Sequence, residues 1–358
     1  MDFLPPPLGP PPLLSPDALY HLCTHGYWDL DLPQNLAAQY DTLLKNIDSF
    51  FAEPLNAKLP YRPGVGQLGP PVNAGNTERG YTWLEGEKEY LTLRKSMTHL
   101  PPNIYDAAAP VWHDTARLLH RILGDISLYL GLPGGPLAWD RVVHDSLEPG
   151  SGVYDDTDPR NKKQVAGHPR DDPPSLLRLF RYEPGGGGAE QHRDLGLLTL
   201  CVCWGRGLQV SPRAVPGETQ PVWVDAPKIT VMTGDTLHVL SQYRIPSALH
   251  RVVVDTGEAA VEAQQAGGRR SIVFALRATT AGNIDLDAFG LPGSVSAREL
   301  YDGIRRRRVN VNADKETREA MREAARSGSE CSSSERGSIK GQSRERFDDA
   351  EGDLGGVA

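Results

Sequence analysis

The sequence predicts a mixed α/β chain in which a β-rich core is bracketed by helical segments. Three observations carry that prediction. Short β-like runs separated by Gly- and Pro-containing turns fill residues 176–276, the pattern of an all-β sandwich or barrel. Apolar residues recur with helical spacing from Leu36 to Phe51 and from Ala108 to Leu130, and again beyond Val295. The two ends, Pro-rich at the start and Ser/Gly/charge-rich at the finish, hold too few apolar residues for a core of their own.

Taken in order, residues 1–16, with Pro5-Pro6-Pro7 and Pro10-Pro11-Pro12, read as a disordered or polyproline-type lead-in. An N-terminal mixed α/β region follows over residues 17–170. Asp17 to Cys23 has helical spacing and Gly26 to Leu30 reads as a strand. Leu36 to Phe51 is an amphipathic helix with Tyr40, Leu43, Leu44, Ile47, Phe50 and Phe51 on its apolar side. Residues 61–80, rich in Gly, Pro and Asn, read as loop. Ala108 to Leu130 is a second helix with Pro110 in its first turn. Its apolar stripe includes Leu118, Leu119, Ile122, Leu123 and Ile126, and Pro133-Gly134-Gly135-Pro136 prevents its continuation. Residues 145–174 are polar and irregular.

The β-rich domain covers residues 171–280. Its runs are Leu176–Tyr182, Leu197–Cys203, Gly207–Val210, Lys228–Thr233, Thr236–Val239, His250–Val254 and Ser271–Arg277. Pro184 and Gly185 to Gly188 form a hinge rather than a phosphate cradle, since no Lys-Ser/Thr follows and no helix opens there. Residues 281–326 return to helix, first from Val295 to Arg308, capped by Ser294 or Ser296, then from Asp314 to Arg326. Residues 327–358 read as a disordered tail.

A net charge of -8 argues against a general nucleic-acid binder. No apolar run approaches the length of a membrane helix, and residues 1–16 carry no Lys or Arg, unlike a signal or transit peptide. The four cysteines, Cys23, Cys201, Cys203 and Cys331, include no CxxC pair. Reduced thiols in a cytoplasmic protein, acting as a monomer, are the expectation.

The most informative residues are His192-Arg193-Asp194, with His250 following 56 residues after Asp194. Two imidazoles and a carboxylate are the ligand set of a facial triad, which holds Fe(II) on one side and leaves the other open. In an extended segment, alternate side chains share a face, so His192 and Asp194 point the same way with Arg193 turned aside. The third ligand must come from another strand, and the separation suits two strands facing each other in a small barrel. Arg269 and Ser271 repeat the i, i+2 spacing, where a guanidinium fork and a hydroxyl grip a carboxylate.

The context extends these residues to an ordered series. It runs His192-Arg193-Asp194-Leu195-Gly196-Leu197-Leu198-Thr199-Leu200, then Gly207-Leu208-Gln209-Val210, Thr233-Gly234-Asp235-Thr236-Leu237, Ser247-Ala248-Leu249-His250-Arg251-Val252, and Arg269-Arg270-Ser271. This series resembles the catalytic domain of Fe(II)/2-oxoglutarate-dependent oxygenases of the isopenicillin-N-synthase-like family. The resemblance is specific over residues 176–277. It is weaker over the N-terminal half, where His25-Gly26-Tyr27 and Phe50-Phe51…Pro54…Lys58 also look familial.

The resemblance implies a double-stranded β-helix (jelly-roll) core with an N-terminal helical/mixed region and C-terminal helices. It implies Fe(II) held by His192, Asp194 and His250, and 2-oxoglutarate bound through Arg269, Ser271 and Tyr182, with O2 as the second co-substrate. Tyr81 and Trp83 lie where family members build one wall of the substrate pocket. The implied reaction hydroxylates, desaturates or cyclises a small organic substrate and releases succinate and CO2. Two features depart from the family pattern: Phe180 replaces the usual Asn two residues before Tyr182, and the connection through residues 257–266 is long. Two alternatives stay open. One is an oxidase of the same fold that does not use 2-oxoglutarate, and the other is a catalytically silent scaffold that binds partners through its ends.

Overall fold

The computed structural model describes residues 12–62, 79–95, 100–149, 174–183, 188–212, 220–253 and 268–306, together with positions 312, 316, 318, 319 and 323. Two compact units divide the chain, residues 1–314 and 315–358. In the second, Glu316, Arg318, Glu319 and Glu323 are helical.

The first unit is built on two antiparallel sheets. In the larger, the strands are β1 (Tyr27–Asp29), β2 (Gly80–Leu84), β3 (Lys88–Arg94), β4 (Leu176–Tyr182), β6 (Leu198–Trp204), β9 (Ile229–Thr233) and β11 (Arg270–Leu276). They lie side by side in the order β1-β9-β6-β11-β4-β3-β2. The smaller sheet orders β5 (Ala189–His192), β10 (Leu249–Val252), β7 (Leu208–Ser211) and β8 (Val224–Asp225). This is the double-sheet jelly roll, in which each strand of a pair turns alternate residues to opposite faces.

Alternation sorts the large sheet cleanly. Leu91, Leu179, Ile272, Phe274, Leu200 and Val231 are fully or almost fully buried on its outer face. They pack under helices α2 (Gln34–Ala52) and α4 (Pro102–Leu130). Trp112 of α4 meets Phe274 edge-on with ring centres 4.9 Å apart, and Tyr40 of α2 is tied to Thr115 of α4 by a 2.9 Å hydroxyl hydrogen bond. The opposite, inner face carries different chemistry. One cross-strand row on it runs Thr82, Tyr90, Phe180, Ser271, Cys203 from β2 to β6. Val252 of β10 packs against aromatic residues of this row, so the small sheet closes over the inner face of the large one.

Helix α1 (Pro16–His25) begins as its sequence directs, with the Ser15 side chain accepting from the Ala18 amide and Pro16 at the first position. Helix α3 (Leu55–Lys58) and helix α5 (Asp140–Val143) are single turns in the connections. Near the end, β12 (Asn283–Asp285) pairs with β13 (Ser294–Ser296). The last helix of the first unit is Ala297–Arg305, N-capped by Ser296.

Several expectations need correction. Residues 12–16 are not part of a disordered lead-in: Leu14 is buried and its amide donates to Asp125 of α4 at 3.0 Å. Residues 1–11 lie outside the described residues. Helix α4 starts six residues earlier than expected, at Pro102, which puts Pro110 inside the helix rather than in its first turn. A proline at the first helical position is pre-organised for the start, and the second one costs the helix one amide. The run Thr236–Val239 is not a strand but part of helix α6 (Asp235–Leu240). The hinge at residues 184–187, the long connection at 257–266 and the 327–358 tail lie outside the described residues. Among the described residues, no helix is long and apolar enough to cross a membrane.

Candidate metal centre

His192 ends β5 and His250 sits in β10, and the two are direct partners across this strand pair. The expectation of two facing strands is therefore corrected: the imidazoles come from neighbouring strands of one sheet. Cross-strand partners hold side chains within a few ångströms of each other, and the ring centres are 4.2 Å apart. Nε2 of His192 is 4.0 Å and Nε2 of His250 is 3.9 Å from Oδ1 of Asp194. One donor atom from each of the three residues lies within 4.8 Å of the others.

The orientation of the rings fits a metal. Nδ1 of His192 is 2.7 Å from the Glu190 carbonyl and Nδ1 of His250 is 3.1 Å from the Ala248 carbonyl. A carbonyl only accepts, so each Nδ1 carries the proton and each Nε2 presents its lone pair toward Asp194. This is the outer arrangement that fixes a metal-binding histidine in its tautomer. Burial opposes ionisation of Asp194, but the imidazoles of His250 and His192 outweigh it and hold the carboxyl down at about 2. The site therefore offers a carboxylate and two imidazole nitrogens, a donor set suited to Fe(II).

Asp194 follows the end of β5, and its backbone is held from another direction. The amide of Asp235 donates to the Asp194 carbonyl at 2.8 Å, and the Thr236 hydroxyl donates to the Leu195 carbonyl at 2.6 Å. These are the first residues of α6, so the helix that stands in place of the expected strand is what positions the carboxylate ligand. Gly234 makes the close approach possible, because a Cβ there would lie 2.2 Å from the Gly196 carbonyl oxygen. Gly234→Ala is expected to cost about 3 kcal/mol in chemical denaturation, as overpacking against backbone does, and to weaken metal binding as well. Wild-type stability in this variant would remove the positioning role of α6. Arg193 turns away from the cluster and donates to the Ser247 carbonyl, as the alternation predicts.

On the inner face beyond the cluster lies Arg269, buried at 6% exposure immediately before β11. Its guanidinium carbon is 4.7 Å from the centre of the Tyr182 ring, and Nη2 donates to Cys203 Sγ at 3.2 Å. Among the described residues, Nε and Nη1 have no hydrogen-bond partner. A buried guanidinium with open N–H groups is costly unless an anion arrives. Gly205 has φ +108°, and a Cβ added there would lie 3.4 Å from the arginine stem. Ser271 and Tyr182 are both buried on this inner face, and Phe180 stacks on Tyr182 with ring centres 5.5 Å apart.

Tyr81 and Trp83 do not join this group. Their register places them opposite Leu91 and Glu89, on the outer face of the sheet, whereas Thr82 between them is on the inner row. Tyr81 is fully buried and donates to Glu89 Oε2 at 2.6 Å, beside Lys58 at 2.8 Å from the same oxygen and Arg181 on the other carboxylate oxygen. Trp83 is 38% exposed, with Nε1 3.4 Å from Glu183 Oε1. The structure thus places Tyr81 in a buried ion cluster and Trp83 in a surface contact. Tyr81→Phe is expected to cost about 2 kcal/mol of stability through the lost hydrogen bond to a charged group while leaving co-substrate affinity unchanged. A fall in that affinity without a stability loss would restore the pocket role.

Cys203 lies outside the motif series, and Gly234 and Thr236 lie within it without a role assigned from sequence. The alternation Cys201-x-Cys203 opposite Ser271 is a usable signal for the first of them.

An antiparallel jelly roll with two histidines and an aspartate converging on one point is the architecture of a non-haem metalloenzyme domain. Residues 169–278 match the family model of the 2OG-Fe(II) oxygenase superfamily. It is 37% identical over 136 residues to the 2-oxoglutarate-dependent dioxygenase frbH of Dothideomycetidae sp. (strain 11243), covering 36% of this chain and 38% of that protein. It is 38% identical over 119 residues to the 2-oxoglutarate-dependent dioxygenase FG08081 of Gibberella zeae, covering 31% and 34%. These alignments span little more than a third of either relative's length. Among solved structures, the fold is similar to a 2OG-Fe(II) oxygenase family protein of Caulobacter crescentus. That likeness has TM-score 0.56 and 20% identity, over 81% of this chain and 92% of that one. A full-length Neurospora crassa protein, solved in complex with alpha-KG and 5-formyluracil, is also similar, with TM-score 0.53 and 16% identity over 80% and 88%.

Proposed function

We propose that the chain is an Fe(II)- and 2-oxoglutarate-dependent dioxygenase that oxidises a small organic molecule and releases succinate and CO2. The observation that carries the reading is the buried Arg269, with two open N–H groups on the same inner face as the His192–Asp194–His250 cluster. His192, Asp194 and His250 would hold the iron through Nε2, a carboxylate oxygen and Nε2. Bound iron supplies the redox chemistry that couples O2 and 2-oxoglutarate to oxidation of the substrate.

The other residues bind and orient. Arg269 receives the distal carboxylate of 2-oxoglutarate with its planar fork, which restricts the acid to one orientation. Ser271 adds a hydroxyl on the same inner face, and Tyr182 backs the guanidinium. Phe180, in place of an amide side chain, makes the neighbouring wall apolar and excludes water there. The free thiols of Cys23, Cys201 and Cys203 support a reducing compartment, the cytoplasm, and we take the working unit to be a monomer. The test is anaerobic titration of the Fe(II) protein with 2-oxoglutarate, followed by a succinate-release screen over a metabolite panel. Saturable binding without any substrate-stimulated succinate would favour the scaffold alternative.

A further inference from the structure

Among the described residues, the polar neighbours of Arg269 include a thiol as well as the Tyr182 hydroxyl. Cys203 lies directly across from Ser271 in the β6–β11 register, and its sulfur takes the Nη2 hydrogen bond at 3.2 Å. Cys201, two residues earlier on the same inner face, brings its sulfur to 3.4 Å from that of Cys203. Both thiols are buried, at 3% and 4% exposure. A guanidinium so far removed from water needs an anion close by, and a thiol ionises far more readily than a hydroxyl. We propose that Cys203 is the built-in counter-anion of Arg269, which the distal carboxylate of 2-oxoglutarate must neutralise by protonation, or displace, in order to bind. This inference rests on the reading of Arg269 as the carboxylate site.

The surroundings decide which sulfur carries the charge. The sulfurs of Cys201 and Cys203 share a hydrogen bond in which either can donate, and that bond together with the Arg269 charge holds the Cys203 thiol below its ordinary range, against burial. Sharing that hydrogen bond and burial push Cys201 up instead. From β11 the groups facing Cys203 are Arg269 and Ser271, from β4 the ring of Tyr182 beside Arg269, and from its own strand Cys201. The opposing sheet contributes Leu208, Val210 and Val252, which carry no charge. Among the described residues, Arg269 and Cys201 act most strongly on this sulfur, Tyr182 is a further titratable group beside it, and Asp194 acts on Cys201.

The proton balance follows. Above the thiol's pKa, 2-oxoglutarate brings a carboxylate beside a thiolate, and two anions on one guanidinium repel. Binding then takes up one proton from solvent and leaves Cys203 as a neutral thiol. Below that pKa no proton is needed. Affinity therefore weakens as pH rises through the range where the thiolate forms.

Two measurements test this. The first is anaerobic 2-oxoglutarate titration of the Fe(II) protein at pH 6, 7 and 8 for wild type, Cys203→Ala and Cys203→Ser. Relative to Cys203→Ala, whose profile carries any contribution from the histidines, wild-type affinity should fall by at least roughly tenfold from pH 6 to 8, one proton being taken up per ligand bound. Both variants should bind at least about tenfold tighter than wild type at pH 8. Equal affinities and equal profiles, or weaker binding by Cys203→Ala at pH 8, overturn the proposal. The second is thiolate absorbance near 240 nm against pH in the metal-free protein, for wild type, Cys203→Ala, Cys201→Ala and Arg269→Gln. An acidic step should be present in wild type, absent in Cys203→Ala, and moved to higher pH in the other two. A step that Arg269→Gln leaves in place also overturns it. A wild type that binds no 2-oxoglutarate at any pH removes the co-substrate reading, while the absorbance arm still decides whether Cys203 balances Arg269.

Discussion

His250→Ala should lower Fe(II) affinity by more than about a hundredfold, a loss larger than outer-sphere changes produce, while the far-ultraviolet circular dichroism stays that of the wild type. The imidazole is one of three donors converging on a point, and its Nδ1 is already engaged by the Ala248 carbonyl. Nothing nearby among the described residues replaces it. His192→Ala should behave in the same way, whereas Asp194→Ala should retain a weak two-histidine site. The folds should survive because the apolar core lies on the outer face of the large sheet, under α2 and α4. Anaerobic dialysis with iron quantified in the protein fraction is the measurement. Full-strength binding by His250→Ala would remove the basis of the metal assignment.

Arg269→Leu should weaken 2-oxoglutarate binding by roughly 3 kcal/mol, on the order of a hundredfold, the worth of one charge-assisted bidentate contact in a buried site. Iron binding should survive, because the guanidinium is not a ligand. Arg269→Lys should rescue only in part, restoring charge without the fork. Wild type that ignores millimolar 2-oxoglutarate would make the oxidase alternative the better reading. An Arg269→Leu variant that binds as wild type would sink the carboxylate assignment even if the enzyme class is right.

The β-rich core is legible because alternation over runs such as Leu176–Tyr182 states both that a strand exists and that its two faces differ. The grouping of His192, Asp194 and His250 is legible because two histidines and a carboxylate in this sequence context form a donor set suited to one kind of metal chemistry. The four-residue window of Thr236–Val239 is too short to tell a period of two from one of 3.6. What makes it helical is tertiary, the docking of the Asp235 and Thr236 amides on carbonyls of residues 194–196. Pro110 looks like a helix boundary in sequence because proline is tolerated in a first turn and disfavoured in a helix interior. Tyr81 and Trp83 fall on the unexpected side because one strand alone does not reveal which of its faces meets the core. Only pairing with β3 settles it.

The direct pairing of His192 with His250 has a consequence for how the molecule tolerates change. The two imidazoles are locked together by a ladder of backbone hydrogen bonds, so their separation is set by strand spacing and not by the length of chain between them. Insertions and deletions in the intervening connections alter closure entropy only logarithmically and need not disturb the donors. The reactive end of the molecule can therefore be held constant while the loops around it are rewritten. That makes the connections, rather than the barrel, the natural place to graft new substrate selectivity.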